Sequence, residues 1–158
     1  MNFFQTSNNG SAAARNLALS MATRDYVVFL DADDSIDSMQ LIHALHLMSN
    51  LEVDLGKFPY YKNGVIKDTT DETKKFKLND STNNRWIFMK GLGYWRFIYK
   101  TKSVQNKFFF FPTFSQLSGR KFILDDLFWL ILLGSSKLEF YNSNQFGFYQ
   151  YQSRKLIS

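Results

Sequence analysis

Asp31, Asp33 and Asp34 crowd three carboxylates into a stretch with only Ala32 between them. Carboxylates this close repel one another. A divalent cation relieves that repulsion. Mg²⁺ and Mn²⁺ prefer oxygen ligands, and one or two carboxylates plus substrate phosphates commonly hold them. The opposing reading is a strand-end loop in which an acid simply caps the next helix. Asp37 or Ser38 already stands where that cap is needed. A buried strand has no need of three acids at its end. A second acidic pair, Asp125-Asp126, opens a run with helical character. Acids in a first helical turn are favoured by the helix dipole. His43 and His46 fall on the helix after the first cluster and read as surface or packing residues. Cys is absent, so thiolate zinc sites, disulfides and thiol nucleophiles are excluded.

The elements around these residues follow from composition and period. Asn8-Asn9-Gly10-Ser11 is turn chemistry, and Ala12 to Met21 is rich in helix formers, which predicts a helix. Tyr26-Val27-Val28-Phe29-Leu30 is a continuous β-branched and aromatic run. Such a run predicts a strand buried on both faces, as in a parallel sheet. The acid cluster then sits at the carboxyl end of that strand, where ligands bind in open α/β sheets. Ser38 to Asn50 places Leu41, Ile42, Leu45 and Met48 on one helical face. Val53 to Tyr61 reads as one strand, turning at Tyr61-Lys62-Asn63-Gly64 and returning over Val65 to Thr70. Asp71 to Asn84 reads as a polar surface loop. Beyond it come a short helix over Arg85 to Lys90, a strand over Tyr94 to Tyr99, an extended Phe108 to Phe114, a helix over Asp125 to Leu133, and a strand or two between Leu138 and Tyr151.

Two enzyme classes place acids after an apolar strand. Val27 to Ser35 comes close to the strand and Asp-x-Asp-x-Thr pattern of haloacid-dehalogenase-like phosphatases. There Asp31 is the nucleophile and Asp33 the acid/base. No later Gly-Asp pair with a further metal-binding Asp supports it. The second class fits more residues. Asn9-Gly10-Ser11-Ala12-Ala13-Ala14-Arg15-Asn16, followed by Phe29-Leu30-Asp31-Ala32-Asp33-Asp34, resembles the family 2 inverting glycosyltransferases of bacterial surface-polysaccharide synthesis. Those enzymes carry an Asn-x-Gly-x-Ser-x-Ala-Arg-Asn stretch before a strand ending Phe-Leu-Asp-x-Asp-Asp. Asn9 and Gly10 are adjacent here, and an extra Ala precedes Arg15.

The resemblance implies an α/β chain with the GT-A (Rossmann-like) fold and a mostly parallel sheet. It implies transfer of a sugar from a nucleotide-diphosphate donor, a UDP-sugar first among them, to a saccharide or lipid-linked acceptor with inversion. Asp31 and Asp33 match the DxD motif, with Asp34 beside it. They would hold Mn²⁺ or Mg²⁺ against the donor diphosphate, Asp33 being the leading ligand, and Asp31 and Asp33 would also touch the donor. Arg15 matches an Arg that faces the diphosphate; otherwise it is a helix-surface Arg. Asp126 matches the family's catalytic base, with Asp125 in place of its Glu. Trp95 stands where a ring could stack on the acceptor sugar, or serve the core. A C-terminal His that adds a metal ligand in some relatives has no counterpart in Phe148-Tyr149-Gln150-Tyr151-Gln152.

At 158 residues the chain suits one domain, with residues 1–52 on the donor side and 53–158 on the acceptor side. The family's first two strand-helix units precede the Asn-Gly-Ser stretch by tens of residues, and this sequence starts almost on that stretch. The expectation is a truncated reading frame, a fragment of a longer protein or a chain completed by a partner, with donor binding weak or absent in the chain alone. The non-enzyme alternative is a non-catalytic remnant or binding module. The net charge of +5 favours phosphates and anionic lipid but is too dispersed for nucleic acid. Phe occurs 17 times. That abundance makes a heavy core or a sugar- or membrane-facing surface. Neither a spanning helix nor a signal peptide is visible, so the expectation is a cytoplasmic chain, with a peripheral place at the inner membrane face left open.

Overall fold

The computed structural model of the chain describes residues 3–5, 7, 10–67, 74–77, 94–105, 139–143 and 147–151. Helix α1 (Gly10–Ser20) leads through a short turn to β1 (Tyr26–Val27). The acid cluster follows, then β2 (Ser35–Ile36) and α2 (Ser38–Asn50). Strands β3 (Leu55–Lys57), β4 (Tyr60–Lys62), β5 (Val65–Lys67) and β6 (Lys74–Lys77) come next. A 3₁₀ turn (Tyr94–Arg96) opens into β7 (Phe97–Lys100) and the short helix α3 (Thr101–Gln105). Strands β8 (Glu139–Asn142) and β9 (Tyr149–Tyr151) close the described order. None of the described helices is long and apolar enough to cross a membrane.

The strands form two sheets, ordered β1-β7-β3-β8-β6 and β2-β9-β4-β5. The α/β class predicted from sequence holds. The pairing, however, is mixed rather than mostly parallel. Only β3–β8 and β4–β9 run parallel among the described pairs. Parallel neighbours need long crossovers, and these two pairs are far apart in the chain. The remaining neighbours pair antiparallel.

Three segments differ from their sequence-based expectation. The apolar run Tyr26 to Leu30 is strand only over Tyr26–Val27, paired antiparallel with Tyr99 and Lys100. Phe29 is buried against Tyr99, with ring centroids 5.6 Å apart, but Leu30 is 51% exposed. Tyr26 and Val28 pack against the core from the opposite face, so the run is covered on both faces as far as Phe29, though half-buried rather than fully buried, and emerges at Leu30. Val53 to Tyr61 is two strands in different sheets, broken at Phe58-Pro59. Pro59 has no N–H for a ladder, and the chain changes sheets there. The polar stretch Asp71 to Asn84 holds β6, whose register against β8 sets Phe76 opposite Phe140. That partner strand lies far along the chain, where counting local charges cannot find it.

The hairpin reads as predicted. Asn63 (φ 52°) and Gly64 (φ 75°) both sit at positive φ. A type I′ turn requires that of its two central residues. The cap of α2 is Asp37, whose Oδ1 accepts from the amides of Met39 (3.0 Å) and Gln40 (3.1 Å). Helix α2 buries Ala44 and Met48 against Val53, Phe58, Ile98, Phe148 and Tyr149. Gly56 allows this approach, since an added Cβ would collide with Met48 Sδ. At the other side, Gln105 Nε2 donates to the carbonyls of Leu19 (2.6 Å) and Ala22 (2.9 Å). Those bonds satisfy the end of α1 and fix it to α3, and with it the direction of Arg15.

Candidate functional site

The acid cluster is a tight turn between β1 and β2. The amide of Asp34 donates to the carbonyl of Asp31 at 3.1 Å, folding the three acids back on themselves. Helix α1 runs alongside, and Arg15 Nη2 donates to Asp31 Oδ1 at 3.1 Å. The Arg15 and Asp31 side chains are 19% and 37% exposed. Water therefore screens the pair only in part. The structure brings together two motif segments that are separated in sequence. Asp33 stands at the exposed outer edge of the turn.

Tyr149 of β9 closes the turn from the core side. Its hydroxyl donates to Asp34 Oδ2 at 2.6 Å and accepts from the Asp31 amide at 3.4 Å. Burial and the bond to Asp34 push its pKa far above the ordinary value of 10.0. The phenol therefore keeps its proton. The ring rests on Trp95, with centroids 4.7 Å apart, and Trp95 in turn meets Tyr60 at 4.7 Å and Tyr151 at 6.0 Å. Strand β9 is held in place through the Asp37 amide, which donates to the Phe148 carbonyl at 2.8 Å.

Tyr149 is not among the residues that the sequence singles out. The family pattern draws the eye to a metal-binding His in this stretch, and a Tyr among aromatics reads as core. It is both: a core ring with its polar end on the acid turn. The one signal available is the stretch itself, expected to approach the acids. Trp95 is half-buried within this aromatic group rather than displayed on a surface. His43 and His46 are exposed, as expected. Asp125 and Asp126 lie outside the described residues, as do Phe108 to Phe111.

Repulsion among the acids is eased by protein partners, Arg15 on Asp31 and Tyr149 on Asp34 among them. No group of three acid or His side chains converges on a metal position among the described residues. A hard cation still fits the chemistry of the turn. Mg²⁺ and Mn²⁺ need only one or two protein carboxylates when substrate phosphates complete the shell. Asp33 would hold the ion, with Asp31 beside it. A groove of about 440 Å³ lies next to β2, at the start of α2, and reaches the β4–β5 turn.

Comparison with known proteins follows the same lines. The sequence model described as Glycosyl transferase family 2 matches residues 3–128. An uncharacterized glycosyltransferase of Haemophilus influenzae is 48% identical over 46 residues, covering 29% of this chain and 18% of that protein. The crystal structure of S. aureus TarS 1–349 in complex with UDP-GlcNAc superposes with a TM-score of 0.72 at 22% identity, over 96% of this chain and 41% of that one. The UDP complex of the same protein gives a TM-score of 0.69 over 95% of this chain. The likeness to TarS shows a shared GT-A fold. The chain spans less than half the length of the relatives it matches.

Proposed function

This chain belongs to glycosyl transferase family 2, and from that premise we propose that it transfers a sugar from a nucleotide-diphosphate donor to a saccharide or lipid-linked acceptor, with inversion. The reading is supported above all by the contact between Arg15 and Asp31. It joins the helix cation to the acid turn at the carboxyl end of β1, as a diphosphate seat requires. A UDP-sugar is the proposed donor, the class of ligand bound by the structural neighbour TarS.

In this proposal Asp33 and Asp31 would hold Mn²⁺ or Mg²⁺, with Asp34 fixing the turn through Tyr149. A cation held there would supply neutralisation of the charge on the leaving nucleotide diphosphate. Arg15 faces the same phosphates. Asp126 takes the proton of the acceptor hydroxyl, and Asp125 supports it. The acceptor oxygen bonds to the anomeric carbon as that carbon's bond to the diphosphate breaks, which inverts the centre. Trp95 is proposed to stand on the acceptor side.

Calorimetric titration with UDP-GlcNAc and Mn²⁺ tests the donor half. Metal-dependent binding that disappears in Asp33→Asn is the expected result. Binding undiminished by Asp33→Asn or by chelation sinks the metal assignment. In a transferring preparation, Asp126→Asn should lower turnover while leaving donor affinity in place.

A further inference from the structure

Resting on the transferase reading, we propose that the groove beside β2 is a binding subsite for a neutral saccharide, a sugar unit of the acceptor next to the acid turn. Its lining includes Asp37, Gln40, Tyr61, Asn63, Gln150 and Tyr151, and its volume is about 440 Å³. Each residue type suits a polyol. Side-chain amides present a donor and an acceptor together, the pattern that vicinal hydroxyls match. A half-buried phenol offers an apolar face and a polar tip to a sugar ring.

The lining itself favours a neutral ligand, with Lys62 engaged on the Tyr151 ring. Asp37 is the one charged residue among the described lining side chains, and it is negative. A phosphate or uronate would be repelled there, while a hydroxyl would donate to it. The wall is also preorganised. Tyr151 is braced by Trp95 in near-parallel stacking and by Lys62, whose Nζ lies 5.1 Å from its ring centroid. Asp37 is fixed by its cap on α2. Register aligns Tyr61 with Gln150 across β4 and β9, and Gln150 with Ser35 of β2. The row therefore ends at Ser35, the residue that follows Asp34 in the chain. The rim is open: an added Cβ at Gly64 would meet nothing within 4 Å. Side chains held before ligand arrives lose less entropy on binding.

Saturation-transfer NMR on the whole chain, with N,N′-diacetylchitobiose and cellobiose as probes, tests the groove. Transfer to ring protons is expected, and it should fall at least several-fold in Tyr61→Ala and in Gln150→Ala. A thermal melt of each variant confirms folding, and Gln150→Glu gives a second, more conservative change of the same exposed side chain. No transfer from either disaccharide overturns the proposal. So does transfer unaffected by all three changes, or displacement of the disaccharides by inorganic phosphate. A parallel titration with UDP and Mn²⁺ separates the two readings. Disaccharide binding without UDP binding leaves the groove standing and defeats the donor seat. UDP binding without disaccharide binding defeats the groove alone.

Discussion

Tyr149 shows how one hydroxyl governs the acid turn. It donates a hydrogen bond to Asp34 and accepts one from the Asp31 amide, so both ends of the turn depend on it. Tyr149→Phe keeps the ring on Trp95 and removes those bonds. Hydrogen bonds to charged groups contribute more than neutral ones, so a loss of about 1–2 kcal/mol is expected from denaturant unfolding. Donor affinity should fall as well, because Asp31 and Asp33 lose their fixed frame. A retained affinity would show that the turn holds itself. The same phenol sets a pH dependence. Its folded pKa lies above the ordinary value of 10.0. The folded state therefore keeps a proton that the unfolded chain releases. The contribution is fully present below pH 10 and is lost as the pH rises beyond it. Comparing wild type with Tyr149→Phe between pH 8 and 11 should show a steeper decline in the wild type. Equal slopes would contradict the burial of the phenol. The acids and Arg15 were legible in the sequence because their types and spacing announce a chemistry. Tyr149 was not, since aromatic residues announce only burial, and its partner Asp34 is 115 positions away.

Elements were legible where local rules suffice. Helix α2, its Asp37 cap and the Asn63-Gly64 turn depend on residues within a few positions. Asp37→Ala should cost about 1 kcal/mol of stability through the lost cap, read as a shift in denaturant midpoint with an unchanged slope. An unaltered midpoint would mean that the start of α2 is held by its packing alone. The missed elements do not share one cause. β6 is decided by β8, far along the chain, whereas the break at Phe58-Pro59 carries a local mark in Pro59, and only the change of sheet depends on distant strands. Gly147 marks how closely the chain segments meet before β9. A Cβ there would collide with the Pro59 carbonyl oxygen, a backbone atom that cannot rotate away. Gly147→Ala should therefore destabilise by about 1–3 kcal/mol, the ordinary range for overpacking. It should also disturb the turn, because β9 delivers Tyr149. Gly64→Ala is a useful contrast, open in space but strained by its positive φ.

At the scale of the molecule, both sheets mix early and late strands. β1 pairs with β7, and β2 pairs with β9, so residues 1–52 hold no strand pair of their own among the described residues. Such dependence arises from topology and is invisible to any reading by segments. It also explains why the acid turn is shaped from both ends of the chain: Arg15 approaches from α1 and Tyr149 from β9. Helices α1 and α2 have 11 and 13 residues. Helices of that length are marginal in isolation in water. A peptide of residues 1–52 is therefore expected to be largely unfolded. Its amide NMR spectrum should show narrow dispersion, and it should not bind UDP with Mn²⁺. The 158-residue chain should instead give dispersed resonances and a single unfolding transition. Far-ultraviolet circular dichroism and tryptophan fluorescence follow that transition in parallel. A folded 1–52 peptide would show that this segment is an autonomous unit. Two separated transitions in the full chain would show that β7 and β9 contribute little to it. Coincident transitions would tie the acid turn to the cooperative core, so that any loss of packing at Phe148 or Ile98 also weakens the proposed donor seat.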